Sequence, residues 1–216
     1  MIKKKRKIVF FDFDGVIADS FSIAFEVNKM IDPLISVGTE NDYRKLFDRN
    51  INDWGKNSAV AEKEVERINK EFFKRYIPQM KKVKMFPGMK DVIAKLGKQY
   101  ILLIISSTIT SPISDFLKRN DILLYFDEVV GDNILHTNKT ERVKRVFNKY
   151  GVKAEDCVFI TDTLGDMREA ASLSVKSIGV SWGFQKKENL LKGKPFSIAE
   201  KPDELINIVS DYFRQI

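Results

Sequence analysis

Five short apolar runs punctuate the chain: IVFF (8–11), ILLII (101–105), EVV (128–130), CVFI (157–160) and SIGV (177–180). Each is continuous rather than alternating. That is the pattern of strands covered on both faces, as in a parallel sheet. Helical patterns separate the later runs. MKDVIAKLGKQ follows Pro87-Gly88, and SPISDFLKRN opens with Ser111-Pro112, an N-cap and first-turn pair. NKTERVKRVFNKYG offers Asn138 as N-cap, Glu141 three residues on, and Gly151 where the helix should stop. DMREAASLS follows the fourth run, and PDELINIVSDYFRQI places Leu205, Ile208, Val209 and Tyr212 on one face. Strands alternating with helices predict a doubly wound, Rossmann-like α/β core.

Residues 19–83 break this rhythm. No comparable strand run occurs there. SFSIAFEVNKMI and DYRKLFDR read as helices, and AEKEVERINKEFFKRYI carries the stripe Ala61, Val65, Ile68, Phe72 and Tyr76. The expected organisation is a core of residues 1–18 and 84–216 with an inserted α-helical block at 19–83. Such a block serves either as an extra packing layer or as a lid that excludes water.

Composition narrows the class. The 216 residues are 44% hydrophobic, enough for a buried core. The single cysteine, Cys157, permits no intrachain disulfide, predicts a reducing cytoplasm, and sits in a strand as inert core. Only IVFF follows the basic MIKKKRK before Asp12, too short for a signal core or a membrane span, so a soluble chain is expected. The net charge of +7 is spread over helix faces where Lys and Arg alternate with acids. No Lys/Arg-aromatic stripe or recognised motif supports nucleic-acid binding, whereas such a field draws in small anionic ligands.

The polar residues gather where ligands of such sheets sit, at the carboxyl ends of the strands. Asp12 and Asp14 follow the first run, Ser106 and Ser107 the second, Asp162 and Asp166 the fourth, and Lys139 opens the helix after the third. Asp12 and Asp14 are two apart, so in an extended segment their side chains leave on one side. Two such charges about 4 Å apart repel by roughly 4 kcal/mol at an effective dielectric near 20. A cation relieves that repulsion, and oxygen-only donors select a hard ion, Mg2+ before Zn2+. Ser106, Lys139 and a helix N-terminus suit a phosphate, and Gly15 lets the backbone approach one. A carboxylate attacks phosphorus, and a neighbouring carboxyl moves the proton.

Taken in order, these segments resemble the haloacid dehalogenase-like superfamily. DFDGV is similar to its first motif, D-x-D-x-[TV]. ILLIISS is similar to the second, Lys139 fits the third, ITDTLGDMREA resembles the fourth, and SIGVSWGF resembles the next strand of phosphoglycolate phosphatase-like members. The resemblance runs from residue 8 to about 184. It implies Asp12 as nucleophile and Asp14 as acid/base, with the Asp14 carbonyl on Mg2+. Asp162 and Asp166 are implied as further metal ligands. Ser106 and Lys139 would hold the phosphoryl group, and an α-helical cap would lie between the first two motifs. Ser107 stands where many relatives have Asn, and Thr140 where many have Pro; neither change removes a needed group. The dehalogenase and phosphonoacetaldehyde hydrolase branches lack the second acid, so Asp14 points to phosphate esters of a small metabolite. The substrate stays open among phosphoglycolate, sugar phosphates and nucleotides.

Two alternatives remain: a sugar phosphomutase, which uses the same motifs, with Arg44 or Arg49 holding a second phosphate, and a non-catalytic binding protein, which would be expected to have lost acids that this chain retains. The stretch FDRNINDW, with Arg49, Asn50, Asn52 and Trp54, reads equally as a substrate loop or an exposed turn. His136 reads as a polar loop residue, and Trp182 and Phe184 as candidates for the site rim. Oligomeric state is not encoded in any of these patterns.

Overall fold

A computed structural model describes residues 7–31, 38–48, 62–132 and 139–215. The chain starts with β1 (Ile8–Phe11) and a tight turn into β2 (Ala18–Asp19). Three helices follow, α1 (Phe21–Ile31), α2 (Glu40–Lys45, continued as a 3-10 turn over Leu46–Asp48) and α3 (Glu62–Gln79). β3 (Lys84–Met85) returns the chain. Then come α4 (Met89–Gly97), β4 (Ile101–Ile109), α5 (Thr110–Arg119), β5 (Glu128–Asp132) and α6 (Lys139–Tyr150). The chain finishes with β6 (Cys157–Thr161), α7 (Leu164–Ser172), β7 (Lys176–Val180), α8 (Lys187–Leu191), β8 (Ser197–Ala199) and α9 (Glu204–Arg214).

Six strands form one parallel sheet in the order β5-β4-β1-β6-β7-β8. β1 lies inside it, with Ile8 beside Ile101 on one flank and Cys157 on the other. All four β1 residues are fully buried, and they divide between two cores. Ile8 and Phe10 pack with Leu103, Val143, Val146 and Phe159 under α6 and α7. Val9 and Phe11 pack with Val92, Ile113, Phe116 and Leu205 on the opposite face. Each such side chain contributes on the order of 1.5–3 kcal/mol by burial. This is the doubly wound α/β core that the continuous apolar runs predict, and all five runs are strands. Cys157 is fully buried, with its thiol pushed up to about 12, chiefly by burial.

Several local expectations are corrected. β8 is a sixth strand at the edge beyond β7; its three residues, SIA, are too few to carry a pattern. β4 continues past Ile105 to Ile109, so Ser106 and Ser107 lie within the strand rather than beyond it. The β4–β5 register shifts between Ile105 and Ile109, which loosens the ladder at those serines. Because the strand runs on, α5 starts at Thr110 with Ile109 as N-cap, and Ser111 falls inside its first turn. Gly151 does end α6, at φ +64°, and donates to Phe147 O. Asn138 lies outside the described residues.

β2 and β3 pair antiparallel, Ala18 with Met85 and Asp19 with Lys84, so the helical segment leaves and rejoins the sheet at one place. α1–α3 do not stand apart. Phe21, Phe25, Tyr43 and Tyr76 join the same core cluster as Phe11 and Phe13. Gln185, 1% exposed, fastens α2 and its 3-10 turn to α7: it accepts from Leu164 N (2.6 Å) and donates to Arg44 O (3.0 Å) and Asp48 Oδ1 (2.6 Å).

Candidate active site

β1 delivers Asp12 to the carboxyl edge, where Asp12 N still donates to Ile160 O at 2.9 Å. The extended geometry expected for 12–14 stops there, because the chain bends at Phe13. The two carboxylates therefore take different partners. Asp12 Oδ1 accepts from Phe13 N at 2.7 Å, and Oδ2 accepts from Lys139 Nζ at 2.9 Å. Asp14 turns toward α3 and β4. Its Oδ1 accepts from Tyr76 OH at 2.5 Å and its Oδ2 from Thr108 Oγ1 at 2.7 Å.

Lys139, 6% exposed at the first position of α6, also donates to Asp166 Oδ2 at 2.7 Å. Thr161 Oγ1 supplies that oxygen with a further bond at 2.9 Å. Thr163 is the N-cap of α7. Asp162 is fully buried. Its Oδ2 accepts from Phe184 N at 2.6 Å, while its Oδ1 has no hydrogen-bond partner among the described residues.

Gly15, at φ +74°, sits against this carboxylate: a Cβ there would collide with Asp162 and press on the Phe184 ring. A Cβ on Gly183 would likewise collide with Asp162, and with the Gly15 carbonyl. Glycine at 15 is thus required by the turn and by Asp162.

Charge and burial set the electrostatics. Burial, with the charges of Asp166 and Asp162, raises the Asp12 carboxyl well above the usual range against the pull of Lys139. Burial likewise raises Asp162 to about 7. For Asp166 burial is outweighed by Lys139 and by hydrogen bonds, and its carboxyl lies below the ordinary value. Burial works against the Lys139 ammonium, but Asp12 and Asp166 prevail and raise its pKa. The site is a cation held between Asp12 and Asp166 beside Asp162, with burial favouring the protonated forms of Asp12 and Asp162.

Asp12, Asp14, Asp162 and Asp166 line one cavity of about 160 Å3 together with Ser106, Ser107 and Lys139. Ser106 Oγ accepts from Thr108 N at 3.0 Å, and its carbonyl takes a bond from Arg142. Arg142 is 2% exposed and paired to Asp132 Oδ1 at 2.9 Å. Phe184 lines the cavity, whereas Trp182 is turned to donate to Val16 O at 3.2 Å. Arg44 does not reach in. It donates to the carbonyls of Gly183 and Phe184 and lies 3.7 Å over the Phe21 ring. Arg49, Asn50, Asn52, Trp54 and His136 lie outside the described residues.

Sequence reasoning missed Tyr76, Thr108 and the Arg142–Asp132 pair. Thr108 had a signal, since it follows Ser106 by two positions in one strand. Tyr76 reads as one more apolar stripe position, and nothing local links it to Asp14.

The sequence pattern of the haloacid dehalogenase-like hydrolases matches residues 9–180, and the chain belongs to that family. It is 23% identical over 211 residues to a phosphoglycolate phosphatase of Synechococcus elongatus, covering 96% of this chain and 99% of that protein. A haloacid dehalogenase-like family hydrolase from Streptococcus pneumoniae superposes with a TM-score of 0.73 at 22% identity, over 95% of this chain and 99% of the other. CbbY from Rhodobacter sphaeroides, in complex with phosphate, does so at 0.69 and 18% identity, over 93% and 96%. These two structures establish the shared fold.

Proposed function

We propose that this enzyme is a Mg2+-dependent phosphatase of a small phosphorylated metabolite, working through a phospho-aspartate at Asp12. The observation that carries this reading is the separate holding of two neighbouring acids: Asp12 against Lys139, Asp14 against Tyr76 and Thr108. One acid is set against a cation; the other is set in a hydroxyl cradle suited to moving a proton.

An Asp12 oxygen attacks phosphorus, the bond to the leaving oxygen breaks, and Asp14 gives that oxygen its proton. Asp14 then takes a proton from the water that attacks phospho-Asp12, which releases inorganic phosphate and restores both acids. Ser106, Ser107 and Lys139 hold the phosphoryl oxygens, and the Arg142–Asp132 pair fixes the Ser106 carbonyl.

The residues fit a hard divalent cation. The donors are all oxygens, and Asp162 Oδ1 is a buried acceptor without a partner. No three acidic side chains among the described residues form a cage by themselves, and Mg2+ is ordinarily held by one or two carboxylates with several waters. Asp12, Asp162 and the Asp14 carbonyl would hold it, with Asp166 directly or through water. Bound there, Mg2+ supplies positive charge to the carboxylates and the phosphoryl oxygens.

Residues 19–83 are the cap in this reading, over a core of 1–18 and 84–216. In support, Asn28, Tyr43 and Phe72 line the cavity from α1, α2 and α3. The phosphomutase alternative needs a cation for a second phosphate; of its two candidates Arg44 is engaged elsewhere and Arg49 lies outside the described residues. A cytoplasmic setting fits the single buried Cys157, and no described helix is long and apolar enough to cross a membrane.

The test is hydrolysis of an aryl phosphate with Mg2+ by Asp12→Asn. Loss of turnover with the fold retained is expected; undiminished activity would sink the mechanism.

A further inference from the structure

The cavity that holds the carboxylates has a second half of different character. Above the acids its walls are aromatic. α3 contributes Phe72, Phe73 and Tyr76; the Phe72 and Tyr76 rings stack at 5.0 Å, and Phe73 meets Phe72 edge-on at 5.3 Å. A second group joins Tyr43, Phe47 and Phe184, with Phe47 edge-on to Phe184 at 4.9 Å and to Tyr43 at 5.2 Å. Phe47, Phe72 and Phe73 are only half-buried. They pack against the core cluster and also line the cavity.

The polar groups on this side are uncharged. Asn69 lines the cavity from α3 and Asn28 from α1. Asn28 commits its Nδ2 to Ala24 O at 2.9 Å and to Tyr43 OH at 3.0 Å, so its Oδ1 is the atom left to accept. Among the described lining residues Lys139 is the one cation, and it is already held by Asp12 and Asp166. A second negative charge on the substrate would enter a cavity lined by five aspartates and meet no other cation among the described lining residues. Burying such a charge unpaired is costly. A flat neutral ring has the opposite balance, since aromatic walls favour stacked or edge-on contact with it.

Size sets the scale. An apolar cavity of about 150 Å3 encloses one benzene molecule. The whole chamber here, its acidic half included, is about 160 Å3, which keeps the substrate to a small molecule.

We infer that the natural substrate is a small phosphate monoester whose alcohol carries a flat, uncharged ring, received by the Phe72–Phe73–Tyr76 and Tyr43–Phe47–Phe184 walls. This inference rests on the phosphatase reading above. It departs from the short carboxylate-bearing substrate in the name of the Synechococcus relative.

The experiment compares benzyl phosphate with 2-phosphoglycolate in Mg2+. Both are esters of primary alcohols, so leaving-group activation does not decide the result. kcat/KM is expected to be at least tenfold higher for benzyl phosphate. In Phe72→Ala the ratio of the two kcat/KM values should fall at least tenfold, and Phe72→Tyr should restore it. Equal or better turnover of phosphoglycolate overturns the inference and leaves the phosphatase standing. So does a ratio unmoved by Phe72→Ala. Inactivity on both esters and on aryl phosphates removes the phosphatase reading, and this inference with it.

Discussion

The Tyr76 hydroxyl donates a 2.5 Å hydrogen bond to Asp14 Oδ1 across 62 residues of sequence. Tyr76 is 1% exposed, on α3, and Asp14 stands just past β1. The helical segment thus supplies a donor to the acid proposed to move the proton. Thr108 holds the other Asp14 oxygen from β4, so the carboxyl is fixed between two hydroxyls.

Tyr76→Phe removes one of those donors and keeps the ring that stacks on Phe72. Loss of a hydrogen bond to a buried or charged group is worth about 1–3 kcal/mol, and each 1.4 kcal/mol on a barrier is roughly tenfold in rate. A fall in kcat of about 10- to 100-fold is expected at saturating Mg2+. Steady-state kinetics that show only a KM change would contradict this role.

Arg142 pairs with Asp132 while donating to the Ser106 carbonyl, all in the buried interior. Arg142→Ala leaves the Asp132 charge behind, and breaking a buried pair costs about 3–5 kcal/mol. Chemical denaturation should show that loss. Arg142→Lys keeps a charge but not the fork that serves both partners, so it should fall between the two. A variant as stable as the parent would mean the pair is dispensable.

Gly15→Ala forces a Cβ onto the Asp162 carboxylate at a backbone φ of +74°. Destabilisation beyond about 1 kcal/mol is expected from the conformation alone. The displaced Asp162 should also weaken Mg2+ binding. Calorimetric titration of Mg2+ into the folded variant checks this, and an unchanged affinity would separate Gly15 from the metal.

Asp162 carries a pH dependence with a definite sign. Burial raises its carboxyl to about 7 in the fold, against about 3.9 in an unfolded chain. The folded state therefore holds this proton more tightly. The resulting stabilisation is full below about pH 4 and is lost as the pH rises through about 7. Above that, the buried carboxylate is charged and one oxygen lacks a partner. Mg2+ should raise Tm more at pH 8 than at pH 5, relative to EDTA. For a chain this size each kcal/mol is worth roughly 2–4 °C. In Asp162→Asn the difference between the two pH values should collapse. Equal shifts at both pH values in the parent protein would refute it.

The core of this fold is legible because burial on both faces leaves uninterrupted apolar runs. IVFF, ILLII and CVFI mark three adjacent strands, and the polar residues after β1 and β6 mark the edge where ligands sit. Lys139 is legible for a related reason, since it opens a helix at that edge. The contacts made across the chain are not legible. Tyr76 has the apolar periodicity of its helix, and its hydroxyl finds Asp14 only once α3 is docked. Arg142 looks like one more charge on a basic helix until β5 brings Asp132 to it. The extension of β4 to Ile109 escapes because SSTI carries too little apolar signal. SIA is too short to announce β8.

The Ala18–Met85 and Asp19–Lys84 pairs make a doorway two residues wide. Everything between them enters and leaves through neighbouring positions, so the length of that segment does not alter the alignment of β1 with β4. A different helical module could be spliced in at this doorway without moving Asp12, Lys139 or Asp162. Such a module would have to supply anew the hydroxyl that Tyr76 sends to Asp14, the rings of Phe21, Phe25 and Tyr43 that pack with Phe13, and the groups that Gln185 and the Phe184 carbonyl meet.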